Sequence, residues 1–152
     1  MLFHGANIEM RRTSLIGVMM LFLSGCSTTV PENMSNDLSP CPATPNCVCS
    51  DDDGLVHGIA PLQLKVDLSD AWSALVTLLE QDQSITVITN ETENYLYAEA
   101  RTAFFGFVDD VEFALDENEN LIHIRSASRT GHSDLGVNRR RVEKIRKFWE
   151  RR

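Results

Sequence analysis

Two alternating runs separated by a polar break of five residues constrain this chain more than any other feature. FVDDVEFAL, residues 107–115, sets Phe107, Asp109, Val111, Phe113 and Leu115 on one parity and Val108, Asp110, Glu112 and Ala114 on the other. LIHIRSASR, residues 121–129, alternates likewise, with Ile122, Ile124, Ser126 and Ser128 opposed to His123, Arg125, Ala127 and Arg129. Patterning at period two argues for strands with one face in a core. DENEN between them is turn chemistry, so the pair reads as a β-hairpin. A connection over residues 117–120 pairs Asp116 with Leu121 and Glu112 with Arg125. In that register the two apolar faces coincide, and so do the charged ones. A slip of one residue would turn every side chain to the wrong side.

YLYAEART, residues 95–102, adds a third run, with Leu96, Ala98 and Ala100 inward and Tyr95, Tyr97, Glu99 and Arg101 outward. The resulting polar face carries Glu99, Arg101, Asp110, Glu112, His123, Arg125 and Arg129. It reads either as a solvated surface stitched by ion pairs, each contributing less than about 1 kcal/mol, or as a groove that recognises a ligand or partner. An amino-terminal loop could also cover it.

The remaining elements follow from local pattern. LQLKVDL is a short alternating run, and SITVIT gives a further strand, with NETEN turning the chain back. Ser69 or Asp70 can cap a helix in which Ala71, Trp72, Leu75, Leu78 and Leu79 recur at helical spacing, which makes Trp72 a core residue. A last helix is expected from near Leu135, capped by Ser133 or Asp134, with Leu135, Val142, Ile145 and Phe148 or Trp149 as its apolar stripe. The expected fold class is α+β. It is a single antiparallel sheet, a meander of about four strands plus a short leading strand, with two helices on one face. About 110 residues suffice for one domain with a modest core.

Ahead of that domain, Arg11 and Arg12 precede the apolar run LIGVMMLFL and then Leu-Ser-Gly-Cys. This is a secretory signal, too short for a spanning helix of ~20 apolar residues. The last four residues match the bacterial lipobox, so cleavage and lipidation are expected at Cys26. Met10 opens a better-proportioned signal than Met1. The expected organisation is a signal peptide at 1–25, a flexible polar tether at 26–40 and one α+β domain at 41–152. The expected location is the bacterial envelope, with the domain facing the periplasm and the bilayer held through Cys26. Ser27 after the cysteine favours an outer membrane where the host has two.

FGFVDDVEF, IRSASRTGHSDLGVNRRRVEKIR and, upstream, CPATPNCV closely resemble the bacterial domain-of-unknown-function family 1499. The resemblance covers Cys41 to Arg146. It implies a small α+β domain, often on exported or membrane-attached proteins, and brings no activity or ligand with it. Cys49 stands where the family suggests serine, and His132 where it suggests an aromatic or apolar residue. The family retains Cys41 and Cys47, and an oxidising compartment makes a disulfide the default, so the resemblance implies a Cys41–Cys47 bridge. Closing so short a loop contributes about 2 kcal/mol on the chain-entropy model. Cys49 is then left over for exchange or contact with a partner. Zinc held by the three cysteines and His57 is the competing reading, but C-x5-C-x-C is not a structural zinc spacing. Asp51, Asp52, Asp53 and Gly54 lack the later ligands of a calcium loop.

Charge is unevenly spread. Residues 26–138 hold four basic and nineteen acidic residues, whereas residues 139–152 hold eight and two. The basic helix either complements its own dipole and the acidic body or meets an anionic surface such as lipid headgroups. Nucleic acid fits an acidic, exported chain poorly.

No hydrolase elbow, metalloprotease motif, phosphate loop or dinucleotide fingerprint is present. No cofactor or metal is expected. Two functions stay open. One is a non-catalytic module that binds an envelope protein or a small anionic ligand through the charged face or the SRTGHSDLGVNR loop. There Gly131 permits a sharp turn, and Arg129, Ser133, Asn138 and Arg139 surround a helix amino terminus. The other is an envelope enzyme using Asp110, Glu112, His123 and Arg125. The candidate site residues are therefore Asp110, Glu112, Arg125, Arg129, Ser133, Asn138 and Arg139.

Overall fold

The computed structural model describes residues 37–64, 68–92 and 94–151. The signal peptide, most of the tether and Cys26 lie outside the described residues. In chain order the elements are β1 Cys47–Cys49, β2 Leu62–Gln63, α1 Leu68–Glu80, β3 Ile85–Thr92, β4 Tyr95–Arg101, β5 Val108–Asp116, β6 Leu121–Ser128 and α2 Val137–Trp149. They form one antiparallel sheet in the order β1-β6-β5-β4-β3, with β2 also on the outer edge of β6.

The β5–β6 register pairs Asp116 with Leu121 and Glu112 with Arg125, as the alternation requires. Val111, Phe113, Leu115, Ile122 and Ile124 face one way, and both helices cover them with Trp72, Leu75, Leu79, Val142, Ile145 and Trp149. The expected sheet, with its helices on one face, is the observed one. Trp72 lies in this core.

Several local expectations are corrected. α1 already contains Ser69 and Asp70, so neither is its cap; Asp70 sits in the first turn, where a carboxylate complements exposed N–H groups. β3 continues through Thr92 because two bulges, each inserting one extra residue, bring Thr92 opposite Tyr95 of β4. The cysteine segment is not all loop. β1 pairs with β6 from Cys47↔Ala127 to Cys49↔Arg125 and closes an edge that would otherwise expose unpaired backbone.

The last helix begins at Val137 rather than near Leu135. Leu135 and Gly136 both take positive φ, 52° and 77°, which reverses the chain and leaves Leu135 84% exposed. The Asp134 carboxylate caps from a distance, accepting the N–H groups of Gly136 at 2.9 Å and Asn138 at 2.7 Å. At the far end Trp149 is buried and Phe148 is not. No helix among the described residues is long and apolar enough to cross a membrane.

Candidate functional site

The polar face is covered, not solvated. Residues 38–49 run across it, and Leu38, Cys41 and Cys49 pack against Tyr95, Tyr97 and Ala114. A Cys41–Cys47 disulfide, with Cα atoms 5.7 Å apart, ties this cover to itself. Asn46 ties it to the sheet by donating from Nδ2 to the carbonyls of Ser128, at 3.3 Å, and Gly131, at 2.9 Å. Cys49 is the unpaired thiol, but it is buried, and burial raises its pKa. A thiol of that kind is a poor nucleophile, so exchange with a partner is not its role.

Glu112 is the centre of the covered face and is 0% exposed. Its Oε1 accepts from Arg125 Nη1. Its Oε2 accepts from the Ser39 N–H and hydroxyl, both at 3.0 Å, and from the Tyr95 hydroxyl at 3.1 Å. Both oxygens are therefore occupied. Arg125 is itself buried and directs Nη2 to the Pro40 carbonyl at 3.5 Å. Burial first, and then the adjacent Glu112 charge, pushes the Tyr95 hydroxyl far above its ordinary range, which keeps it protonated as a donor.

A second cluster sits beside it. Arg129 donates Nε to Asp110 at 2.8 Å and Nη2 to Glu99 and to the Tyr97 hydroxyl, each at 2.6 Å. Tyr97 in turn donates to Asp110 at 2.6 Å. Burial, reinforced by that hydrogen bond to Asp110, raises its pKa as well. For Arg129 burial opposes the charge, but the bonds to Glu99, Asp110 and Tyr97 outweigh it and hold the guanidinium protonated.

The third cluster lies on the helix side. Asp109 shares the apolar parity because Arg141 reaches across from α2 to pair with it at 2.5 Å. Asn138 is fully buried. Its Oδ1 accepts from the Ser126 hydroxyl and from Arg141, each at 2.6 Å, while Nδ2 donates to the Asn46 carbonyl and the Ser128 hydroxyl, each at 3.0 Å. Arg139 spans the carbonyls of Gly58 and Val56, both at 2.9 Å, and Ser133 Oγ accepts the Leu135 N–H at 3.3 Å. The candidate residues are thus divided. Glu112 joins Arg125, Asp110 joins Arg129, and Asn138, Arg139 and Ser133 each serve a different piece of backbone. No hydrogen bond among the described residues gathers Arg129, Ser133 and Arg139 into one place. The helix amino terminus between them holds the chain's own Asp134.

His123 does not join the Glu112–Arg125 pair. Its Nδ1 lies 2.5 Å from Asp51 and 3.2 Å from Ser50 Oγ. It lines an open groove of about 510 Å³ with Asp37, Asp51, Asn94, Asp116, Glu117 and Asn118. Asp116, Glu119 and His123 bring donor atoms within 4.8 Å of one another. By sequence Asp116 and Glu119 are turn residues of DENEN. The usable signal was the hairpin register, which folds the turn back beside His123.

A family model described as "Protein of unknown function (DUF1499)" matches residues 37–148, from the first described residue of the cover nearly to the end of α2. No curated protein and no solved structure matches the chain. The matched span takes in every strand, all of α1 and nearly all of α2, and the chain belongs to the DUF1499 family.

Proposed function

We propose that the chain is an exported bacterial lipoprotein whose folded domain is a non-catalytic binding module of the cell envelope. Cys26 is its lipid-bearing residue, and its partner is an envelope protein or a small ligand. The observation that carries the non-catalytic reading is the occupied state of Glu112. A general acid or base needs a free valence toward substrate, and this carboxylate spends both oxygens on Ser39, Tyr95 and Arg125. Asp110 and Arg129 are likewise engaged with each other and with Tyr97. The family model supplies no activity that would argue otherwise.

The loop residues Arg129, Ser133, Asn138 and Arg139 take part in this reading as the struts that fix the surface shown to a partner. One observation favours a second reading, an envelope enzyme: His123, held by Asp51, opens onto the groove beside Asp116.

Affinity capture of the lipidated chain from its own envelope tests the module directly. The Cys26→Ser chain should lose labelling by radioactive palmitate and leave the membrane fraction, or retain its uncleaved signal. Unchanged size and partitioning would overturn the anchor. Capture that survives His123→Ala supports the module, whereas a captured small substrate turned over only by the parent chain would establish the enzyme.

A further inference from the structure

The turn from β4 to β5 presents three phenylalanines to solvent. Phe104, Phe105 and Phe107 are 88%, 72% and 54% exposed. Their rings cover one another only in part, with centroids 4.9 Å apart edge to face for Phe104 and Phe105 and 5.5 Å apart stacked for Phe105 and Phe107. The turn is nevertheless well built. Thr102 donates its N–H to the Phe107 carbonyl, accepts the Phe107 N–H on Oγ1 and accepts the Gly106 N–H on its carbonyl, each at 2.9 Å. Gly106, at φ 67°, supplies the left-handed residue that closes it. A tip fixed in this way forfeits little conformational freedom when something covers it. Clustered exposed aromatic surface on a small domain marks a docking site.

The surroundings indicate what docks. The register Arg101↔Val108 and Asp109↔Ser128 places the β6–α2 connection at the same end of the sheet. That connection adds Leu135, 84% exposed, with His132 and Arg140 also exposed, Arg140 Nη1 donating to the Leu135 carbonyl at 2.9 Å; Arg101 beside the tip is 60% exposed and pairs with Glu99 at 3.5 Å. The carboxylates of this end are occupied. Glu99 and Asp110 are paired with Arg129, and Asp134 caps the helix. The end is therefore an exposed apolar point whose solvent-facing charged side chains are Arg101 and Arg140, within a chain whose net charge is −8.

We propose that this end is a membrane-insertion tip, with the phenylalanine rings at the acyl boundary of an anionic bilayer and Arg101 and Arg140 among its phosphates. A fluid bilayer conforms to such a point, and its negative headgroups accept from the outward guanidinium groups of Arg101 and Arg140. The proposal rests on the anchored reading only for delivery to the membrane. The described chain begins at Asp37, which lines the groove beside Asp116 at the opposite end of the sheet. Residues 26–36 span about 36–40 Å when extended, more than the ~30 Å length of the nine-residue β5. A lipid on Cys26 therefore leaves the tip free to reach the same bilayer.

The test uses the full chain carrying Phe105→Trp, reconstituted into phosphatidylcholine–phosphatidylglycerol vesicles with acyl chains brominated near the carbonyl. Trp72 and Trp149 are buried and serve as the unquenched internal reference. The new indole should be blue-shifted and quenched, and adding Phe104→Ser should weaken insertion about tenfold. Flotation of the vesicles reads the anchor independently. Flotation without quenching leaves the anchor standing and overturns the tip. Quenching in the Cys26→Ser chain supports the tip without the anchor. Burial of the indole only in self-associated protein, or only against a cross-linked protein partner, would also overturn the bilayer assignment.

Discussion

The two faces of the sheet are sealed by opposite means. On one, helices α1 and α2 lay Leu75, Leu79, Val142 and Ile145 over Val111, Phe113, Ile122 and Ile124. On the other, an irregular segment lies over Glu112, Arg125, Tyr95 and Tyr97 and is held by hydrogen bonds such as those from Ser39 to Glu112. The first seal is generic outside the Asp109–Arg141 pair and Asn138, since apolar burial is non-directional and an apolar residue of similar volume serves. The second is specific, since a buried charge is tolerable only while its partners stay in place. One sheet therefore teaches that a short stretch without helix or long strand can be ordered by polar contacts, even with the buried Arg125 Nε left without a hydrogen-bond partner.

The largest effect should come from breaking that specificity. Glu112→Ala strands the buried Arg125 guanidinium and should cost about 3–5 kcal/mol in urea unfolding. Phe113→Ala, its neighbour on the dry face, should cost a similar ~3–5 kcal/mol by leaving a cavity. The two are separated by a second substitution. Glu112→Leu with Arg125→Met removes both charges and should recover most of the loss, yet the Ser39 amide should then exchange with solvent rapidly because its acceptor is gone. If the double variant is as unstable as Glu112→Ala, the pair is not the reason the face tolerates burial.

The cover should also be separable from the fold. Cys41→Ser opens the Cys41–Cys47 loop and should lower stability by about 2 kcal/mol. The loss should appear first as faster exchange of amides in residues 38–49, with those of β5 and the helices little changed. Uniform loss of protection across β5 and α2 would show that cover and sheet unfold as one unit.

How far each seal could be read in advance follows from the same distinction. The hairpin register was legible because two independent patterns, apolar parity and opposite charge, agree on Glu112 opposite Arg125. The helix positions of Trp72, Leu75 and Leu79 were legible from spacing. The cover was legible only as a loop that could lie over the face, since residues 37–49 have no period to read. Their partners lie far along the chain, as with Ser39 and Glu112, 73 positions apart. β1 is illegible for the same reason, because three residues hold no alternation and pair only once the β6 edge exists. Asp134 caps α2 as its position suggests, but across a pair of left-handed residues, one of them a leucine, so the start at Val137 is not visible in local spacing.

The smallest expected effect gives the cleanest view of the polar face. The chain has two tyrosines, Tyr95 and Tyr97, and both lie there. Each hydroxyl is buried and donates to a carboxylate, Glu112 or Asp110, so each pKa is raised above the ordinary value of 10. A group whose folded pKa is raised contributes stability that is fully present below the unfolded pKa and is lost as pH rises through the folded one. Absorbance at the tyrosinate band should therefore stay flat through the region near pH 10 where free tyrosine ionises. Both tyrosines should then titrate together as the protein unfolds in alkali. Tyr97→Phe removes one donor while leaving Asp110 paired with Arg129, and should cost only about 1 kcal/mol. In that variant the remaining signal belongs to Tyr95 alone and should keep its delayed onset. An ordinary titration near pH 10 with the fold intact would mean that the cover opens on its own and that the polar seal is weaker than its hydrogen bonds imply.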